Sequence, residues 1–168
     1  EDLAARLGSD ISFCVTGGTA IATGRGEKLD KIDLLKKAWV ILAKYENLSV
    51  STPWAYQTYR RQFSDTYISD EAEVQSRASQ LHSGPLVTAI KQQNEREVGR
   101  LIQNDLEKVV FPKYPQEEQL KLAFAQKDIL GTMMSGSGPT VFALCESEAS
   151  AIAVEREVRE QMNDPQLK

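Results

Sequence analysis

Short patterns of apolar and polar residues predict several β-strands. Residues 11–16 alternate apolar and polar side chains, which is the period of a strand. Gly24-Arg25-Gly26 then indicates a hairpin turn between two strands. The apolar run from Ala38 to Tyr45 predicts a strand in the centre of a sheet, because central strands are buried on both faces. The segment Met133 to Leu144 predicts two further strands about a turn of small residues.

Caps and prolines predict helices through the middle of the chain. Thr52 is a candidate N-cap and Pro53 suits the first helical position, so we expect a helix to begin there. Asp70 opens a second helix, with acidic residues in the first turn where the helix dipole favours them. Gly84-Pro85 interrupts the helical pattern, and Asn94 has the position of a cap for the next helix.

The C-terminal half continues with helical spacing. The segment "QEEQLKLAFAQKDI" predicts an amphipathic helix, since Leu120, Ala123 and Phe124 fall on one side. Gly99 lies inside a predicted helix, where glycine costs about 1 kcal/mol relative to alanine, so we expect close packing there. Ser147 is the expected cap of the last helix, and the tail "NDPQLK" is expected to fray.

The order of these elements predicts an α+β fold. A hairpin, a strand, several helices, two strands and a helix are typical of helices packed on one face of a mainly antiparallel sheet. The chain begins inside a helical pattern that nothing before it caps, so we expect a fragment of a longer protein. A junction near Ile32 to Lys37 is expected to separate the remnant of one domain, residues 1–36, from a second domain, residues 37–168.

Composition narrows the class of protein. Hydrophobic residues make up 41% and charged residues 26% of the chain, as in soluble globular proteins. The net charge of -4 gives no support for a nucleic-acid partner, and no apolar run approaches the ~20 residues of a membrane span. Cys14 and Cys145 lie in apolar segments and are interpreted as buried free thiols. Together with the lone His82 they make no convincing structural metal site, and no metal ligand is assigned.

Three features are candidates for chemistry. The glycines and serines of "SGSG" can form a nest of backbone N–H groups for an anion or admit another backbone, but a simple hairpin turn explains them too. Asp10 is a candidate general base before a predicted strand, or only a local turn former. Tyr56 and Tyr59 share a helical face and could sandwich a flat base, whereas for Trp54 we favour ordinary packing.

Four motifs together carry a resemblance to a known family. They are "LAARLGSDISFCVTGGTAIATGRGEKL", "VSTPWAYQTYR", "NDLE" and "MMSGSGPTVFAL", and the resemblance extends from Leu3 to about Met162. On these residues the chain resembles the second half of a GHMP small-molecule kinase. The motif "SGSGPT" is shared across the superfamily. The motifs "LGSD" and "STPWAY" are typical of the member that phosphorylates a cytidine diphosphate-linked methylerythritol in non-mevalonate isoprenoid synthesis.

The resemblance implies a fold, a reaction and roles for particular residues. The fold would be a GHMP-kinase C-terminal domain preceded by a remnant of the N-terminal, ATP-binding domain. The terminal phosphoryl group of ATP would move to the 2-hydroxyl of the methylerythritol unit in the presence of Mg²⁺. Asp10 matches the catalytic aspartate, and Tyr56 matches the aromatic residue that stacks on cytosine. Thr52 and Pro53 would shape the rim of the substrate pocket.

Gly136, Ser137 and Gly138 match a glycine motif that lies against the main phosphate loop and helps to set its shape. We therefore expect this turn, Asp10 and Tyr56 to face one cleft. In the family, the main phosphate loop, a catalytic lysine and a second aromatic residue precede the helix that starts this chain. ATP and Mg²⁺ should thus be bound mainly by a missing N-terminal part, and the 168-residue chain alone should be inactive. The resemblance implies a bacterial cytoplasmic or plastid stromal protein.

Two alternatives stay open. Another GHMP kinase, such as homoserine or phosphomevalonate kinase, would share the small-residue turn, but its substrate offers no base for Tyr56 to stack on. A non-catalytic α+β interaction module would use Asp10 and the "SGSG" segment only as turns.

Overall fold

A computed structural model describes residues 6–8, 10–24, 26–32, 38–68 and 70–168. The chain divides into two compact units, which we call the small unit (Glu1–Lys36 with Ile68–Asn94) and the large unit (Lys37–Tyr67 with Glu95–Lys168). The predicted junction near Ile32 to Lys37 lies mostly outside the described residues. The division into domains 1–36 and 37–168 stays a prediction, because compact units of a chain are not by themselves the domains of a longer protein.

Along the described chain a short helix is followed by three strands, a run of helices, two further strands and a last helix. In chain order the helices are α1 (Ile11–Thr16), α2 (Thr52–Gln62), α3 (Glu71–His82), α4 (Pro85–Lys91), α5 (Glu95–Leu101), α6 (Glu107–Val110), α7 (Pro115–Ala125) and α8 (Glu148–Met162). The strands are β1 (Thr19–Thr23), β2 (Lys28–Ile32), β3 (Trp39–Ala43), β4 (Gly131–Met134) and β5 (Val141–Cys145). A short 3₁₀ turn, Ser64–Thr66, follows α2. Within the described ranges, no helix combines the length and apolarity that a membrane span requires.

Strands β1 and β2 form an antiparallel hairpin in the small unit. Thr19 lies opposite Ile32, and Thr23 lies opposite Lys28. This confirms the hairpin that Gly24 and Gly26 predicted. The helix predicted after Asp70 is confirmed as α3, since the Asp70 carboxylate accepts a hydrogen bond from the Ala72 N–H at 2.8 Å.

The strand predicted at residues 11–16 is wrong, because this segment forms helix α1. Ile11 and Val15 are four positions apart and therefore fit one side of a helix as well as one face of a strand, so six residues cannot distinguish the two periods. The helix ends at Gly17, whose φ of 63° is a left-handed conformation that glycine adopts without strain. Ser12 is buried while Ile11 and Val15 are exposed. Cys14, expected to be buried, is exposed as well.

Strands β3, β5 and β4 form the antiparallel sheet of the large unit, in that order. The central position predicted for β3 is therefore wrong, since β5 lies between its two neighbours. Ile41 is buried, whereas Val40 and Leu42 are 50% and 67% exposed, so helices cover only one face of β3. The two strands predicted about the small-residue turn are confirmed as β4 and β5, with Met134 opposite Val141.

The predicted helices of the large unit are confirmed with small shifts at their ends. Helix α2 is capped by Ser51 rather than Thr52, because the Ser51 Oγ accepts from the Trp54 N–H at 3.4 Å. Ser147 caps α8, as predicted, by accepting from the Ser150 N–H at 3.1 Å. Helix α7 is amphipathic as expected, with three side chains at most 2% exposed: Leu120, Ala123 and Phe124. They pack with residues of β3, β5 and α8 in the main core of the unit.

Close contacts between backbones complete the large unit. A Cβ on Gly99 would overlap the backbone of Leu130, and one on Gly131 would overlap the backbone of Gly99, so the predicted close packing at Gly99 is confirmed. The predicted fraying of the tail is wrong. Lys168 exchanges backbone hydrogen bonds with Lys44 at 2.9 and 3.0 Å, and Leu167 is only 4% exposed. The tail extends the pairing beyond β3, which removes its backbone groups from solvent.

Candidate functional site

A tight loop of residues 135–140, which we call the glycine loop, joins β4 to β5. The Ser135 N–H donates to the Thr140 carbonyl at 2.7 Å, and the Gly138 N–H donates to the Ser135 carbonyl at 2.9 Å. The peptide bond between Gly138 and Pro139 is cis. The loop therefore has a defined shape that its own backbone hydrogen bonds maintain.

The two glycines of this loop are required for different reasons. Gly136 and Gly138 have φ values of 56° and 80°, which residues with a side chain rarely adopt. A Cβ at Gly136 would meet nothing within 4 Å, whereas a Cβ at Gly138 would lie 2.9 Å from both Glu117 Oε2 and Met134 Sδ. Gly136 thus leaves open space beside the loop, and Gly138 lets two buried side chains contact the loop backbone.

Glu117, in the first turn of α7, is a buried carboxyl group beside Gly138. Its side chain is fully buried, and neither carboxyl oxygen has a hydrogen-bond partner among the described residues. Burial without a compensating cation raises its pKa from 4.5 to about 7, because the charged form is poorly solvated. This carboxyl group is therefore mostly protonated below that pH.

Asn104 and Glu107 bind the end of β4 and the start of the glycine loop. The Asn104 Nδ2 donates to the carbonyls of Met134 at 2.8 Å and Gly136 at 2.7 Å. Its Oδ1 accepts from the Leu106 N–H at 2.9 Å, which fixes the orientation of the amide. The Glu107 Oε1 accepts from the Met134 N–H at 2.8 Å, and its Oε2 forms an ion pair with Lys121. The end of β4 is thus bound through both its N–H and its carbonyl.

The start of helix α2 contacts the tip of the loop. Thr52 Oγ1 and Ser137 Oγ lie 2.7 Å apart in a hydrogen bond in which either hydroxyl can be the donor. Pro53 occupies the first turn of the same helix and is exposed. Two predicted groups, the Thr52-Pro53 rim and the glycine loop, are therefore brought together.

A cavity of about 410 Å³ that is open to solvent adjoins the glycine loop. Its wall includes Tyr56 of α2, Asn104 and Gly136. Tyr56 is 55% exposed, so its ring has a face available to a ligand. The structure thus places the predicted base-stacking residue and the glycine loop on one cavity of the large unit.

The neighbouring aromatic residues combine packing with a place on the cavity wall. Tyr59 also lines the cavity, but it is only 8% exposed and stacks on Phe63 with ring centroids 4.9 Å apart. Trp54 packs edge to face on Tyr114 with ring centroids 5.9 Å apart, in agreement with the packing role favoured for Trp54. Among these rings Tyr56 is therefore the best candidate for stacking on a ligand.

Asp10 belongs to the small unit. It is the exposed N-cap residue of α1, and its side chain makes no capping hydrogen bond. The prediction that Asp10 precedes a strand is wrong, since it precedes helix α1. That Asp10 faces the same cleft as Tyr56 and the glycine loop stays a prediction. Across the part of the chain that the structure describes, no group of three or more His, Cys, Asp or Glu residues could hold a metal ion.

Comparisons with known proteins define the class. Residues 86–164 match the family model described as GHMP kinases C terminal. This match covers residues 86–164, and together with the mixed helices and antiparallel sheets it confirms the predicted fold class. A solved homoserine kinase from Cytophaga hutchinsonii, 22% identical with a TM-score of 0.59, covers 94% of this chain and 48% of its own and supports the fold alone.

Two similar relatives carry the same name. The chain is 56% identical to the 4-diphosphocytidyl-2-C-methyl-D-erythritol kinase of Gloeothece citriformis over 99% of its own length and 53% of that protein. It is 55% identical, with the same coverage, to the enzyme of that name from Trichodesmium erythraeum. A crystal structure of a 4-(cytidine 5'-diphospho)-2C-methyl-D-erythritol kinase, 25% identical with a TM-score of 0.64, covers 95% of this chain and 52% of its own. The chain spans about half the length of the curated relatives it matches.

Three residues at the glycine loop were missed by sequence reasoning. Glu117 had a visible signal, because it lies on the same side of α7 as Leu120 and Phe124, where a charged residue is out of place. Asn104 and Glu107 were noticed only as part of "NDLE", and nothing local in the sequence indicates that they bind a strand about 30 residues away.

Proposed function

We propose that this chain is the C-terminal part of an ATP-dependent kinase that phosphorylates the 2-hydroxyl of 4-diphosphocytidyl-2-C-methyl-D-erythritol. The observation that carries the proposal is the cavity lined by both Tyr56 and Gly136, together with the hydrogen bond between Thr52 and Ser137 that joins the start of α2 to the glycine loop. An exposed aromatic ring next to a loop of small residues suits a substrate that has both a flat base and phosphate groups. The names of relatives at about half identity support the same substrate.

Each predicted site residue has a role in this proposal. Tyr56 stacks on the cytosine ring, and Thr52 and Pro53 form the rim of the pocket for the rest of the substrate. Gly136-Ser137-Gly138 supports the main phosphate loop, whose shape depends on the small residues it contacts. Asp10 accepts or orients the proton of the attacking hydroxyl, and positioning of this kind supplies most of the catalysis in phosphoryl transfer.

ATP supplies the phosphoryl group when it is bound, and its binding is assigned mainly to the N-terminal part of the full-length protein. The described residues offer no cluster that fits a metal, so Mg²⁺ is not assigned to side chains of this chain. The residues 1–36 are proposed to complete that N-terminal domain, and a cytoplasmic location is part of the same proposal. The 168-residue chain alone should show no turnover.

Turnover by the full-length protein tests the proposal. The protein should release ADP with the cytidine diphosphate-linked methylerythritol and not with homoserine, as followed in a coupled assay. Preference for homoserine would favour another GHMP kinase, whose fold this chain shares. Turnover by the isolated chain would contradict the assignment of ATP binding to the other half.

The variant Asp10→Asn tests the catalytic assignment. Loss of the base should lower kcat by a factor on the order of 100 to 10,000, because general-base catalysis contributes about that much. The melting temperature should stay nearly constant, since Asp10 is exposed and makes no capping hydrogen bond. Unchanged turnover would instead favour a non-catalytic interaction module.

A further inference from the structure

The glycine loop is bound by two side chains that the proposed reaction does not yet use. Asn104 donates to two carbonyls, that of Met134 at the end of β4 and that of Gly136 within the loop, and Glu107 accepts from the Met134 N–H, which precedes both. These bonds fix the backbone on both sides of Ser135. The two bonds to Met134 are partly buried, and such bonds restrict a loop more than exposed ones do, because water competes less for the donors and acceptors.

Both side chains are themselves held in place. The Asn104 amide is oriented by the Leu106 N–H, and the Glu107 carboxylate is held by Lys121 and is 13% exposed. Asn104 also forms part of the cavity wall next to Tyr56. A shift of Asn104 would therefore move the cavity wall and the loop together.

We propose that Asn104 and Glu107 are positioning residues, which fix the glycine loop in the geometry that phosphoryl transfer requires and couple it to the wall of the substrate cavity. The kinetic part of this inference rests on the proposed function. The structural part, that the two side chains hold the loop, does not depend on it.

Hydrogen exchange of the full-length protein tests the structural part. In Asn104→Asp a carboxylate replaces the donor and faces two carbonyl oxygens, so exchange in peptides covering residues 133–140 should become about tenfold faster or more. The matched control Asn47→Asp makes the same chemical change in an exposed turn and should leave that exchange unchanged. If Asn104→Asp does not fold, Asn104→Ala removes the same donor without adding a charge and carries the same expectation.

Steady-state kinetics of the same variants test the positioning part. Well below the melting temperature, Asn104→Asp and Glu107→Ala should lower kcat about tenfold to a hundredfold, since a small displacement of a positioned group has effects of that size. Glu107→Gln keeps the acceptor for the Met134 N–H and should restore kcat to within about threefold of wild type, whereas a role in stability alone would change only the melting temperature. The exposed control Glu118→Gln should behave as wild type.

Unchanged exchange in the Asn104 variants would overturn the inference, and so would faster exchange with an unchanged kcat. If the wild-type protein shows no turnover with the cytidine diphosphate-linked substrate, the proposed function fails instead. The exchange measurements would then still decide whether Asn104 and Glu107 hold the loop.

Discussion

Glu107 and Glu117 lie near the same glycine loop, yet the two carboxyl groups have opposite surroundings. Glu107 accepts a hydrogen bond from the Met134 N–H and is paired with Lys121. Glu117 is fully buried beside Gly138 and has neither a donor nor a cation among the described residues. Burial without such partners raises the pKa of the Glu117 carboxyl group, because its charged form is poorly solvated.

The two positions follow from the helices that carry them. Glu107 begins the short helix α6, and its side chain reaches the end of β4. Glu117 is three residues before Leu120 on the buried side of α7, so packing of that helix forces the carboxyl group into the core. Glu107 therefore joins α6 to the end of β4, whereas burial of Glu117 by helix packing destabilises the fold when its carboxyl group is charged.

Replacing Glu117 by glutamine should change the free energy of unfolding more than any other variant that tests this comparison. The folded pKa of about 7 exceeds the unfolded value of 4.5, so the wild type loses stability as the pH rises between these values, and the loss levels off above the folded pKa. Glu117→Gln removes this titration. The difference in free energy of unfolding between Glu117→Gln and wild type should therefore grow in favour of the variant, by about 3 kcal/mol, as the pH rises from about 4 to about 8.

Urea unfolding at several pH values measures this gain. The neighbouring variant Glu118→Gln is a matched control, because the Glu118 side chain is exposed and its replacement should leave the pH dependence unchanged. A constant difference between Glu117→Gln and wild type across this pH range would show that Glu117 has a normal pKa.

Replacing a glycine of the loop by alanine should give the next largest change in the free energy of unfolding. Gly138→Ala places a Cβ against the Glu117 carboxyl and the Met134 sulfur in a backbone conformation that alanine disfavours, so it should destabilise the fold by about 2 kcal/mol. Gly136→Ala has the backbone strain without the crowding and should cost only about 1 kcal/mol. Equal losses in urea unfolding would mean that contact with Glu117 does not matter.

Replacing Lys121, the cation beside Glu107, should lower the free energy of unfolding least among these three kinds of change. Lys121→Met leaves the hydrogen bond from the Met134 N–H intact, and the partly exposed carboxylate can still reach water, so the loss should be about 1 kcal/mol. The variant Lys108→Met is the comparison, since its ion pair with Asp105 is exposed and should contribute less. A larger loss at Lys108 than at Lys121 would contradict the role assigned to the partly buried pair of Glu107 and Lys121.

Local signals explain how much of the fold could be predicted from the sequence. Caps such as Asp70 and Ser147, and the apolar side of α7, act within a few residues, so their positions were predicted well. The segment 11–16 is too short for its pattern to distinguish the period of a strand from that of a helix, and the strand predicted there was wrong. The edge position of β3 depends on which strand pairs with it, which no local pattern determines.

The candidate site shows the same limit. Tyr56 and the glycine loop were found by residue type and spacing, and the structure brings both to one cavity. The partners of the loop were not found, because Asn104 and Glu107 bind a backbone that is distant in sequence and their residue types are common on surfaces. Such contacts become visible only when the tertiary fold is known.

The paired C-terminal tail has a practical consequence for protein engineering. Because Lys168 and Gln166 hydrogen-bond to the backbone of Lys44 and Glu46, deleting the last few residues would leave the end of the sheet uncovered and expose the apolar contact between Tyr45 and Leu167. A variant that lacks Gln166, Leu167 and Lys168 should therefore show lower solubility than the wild type.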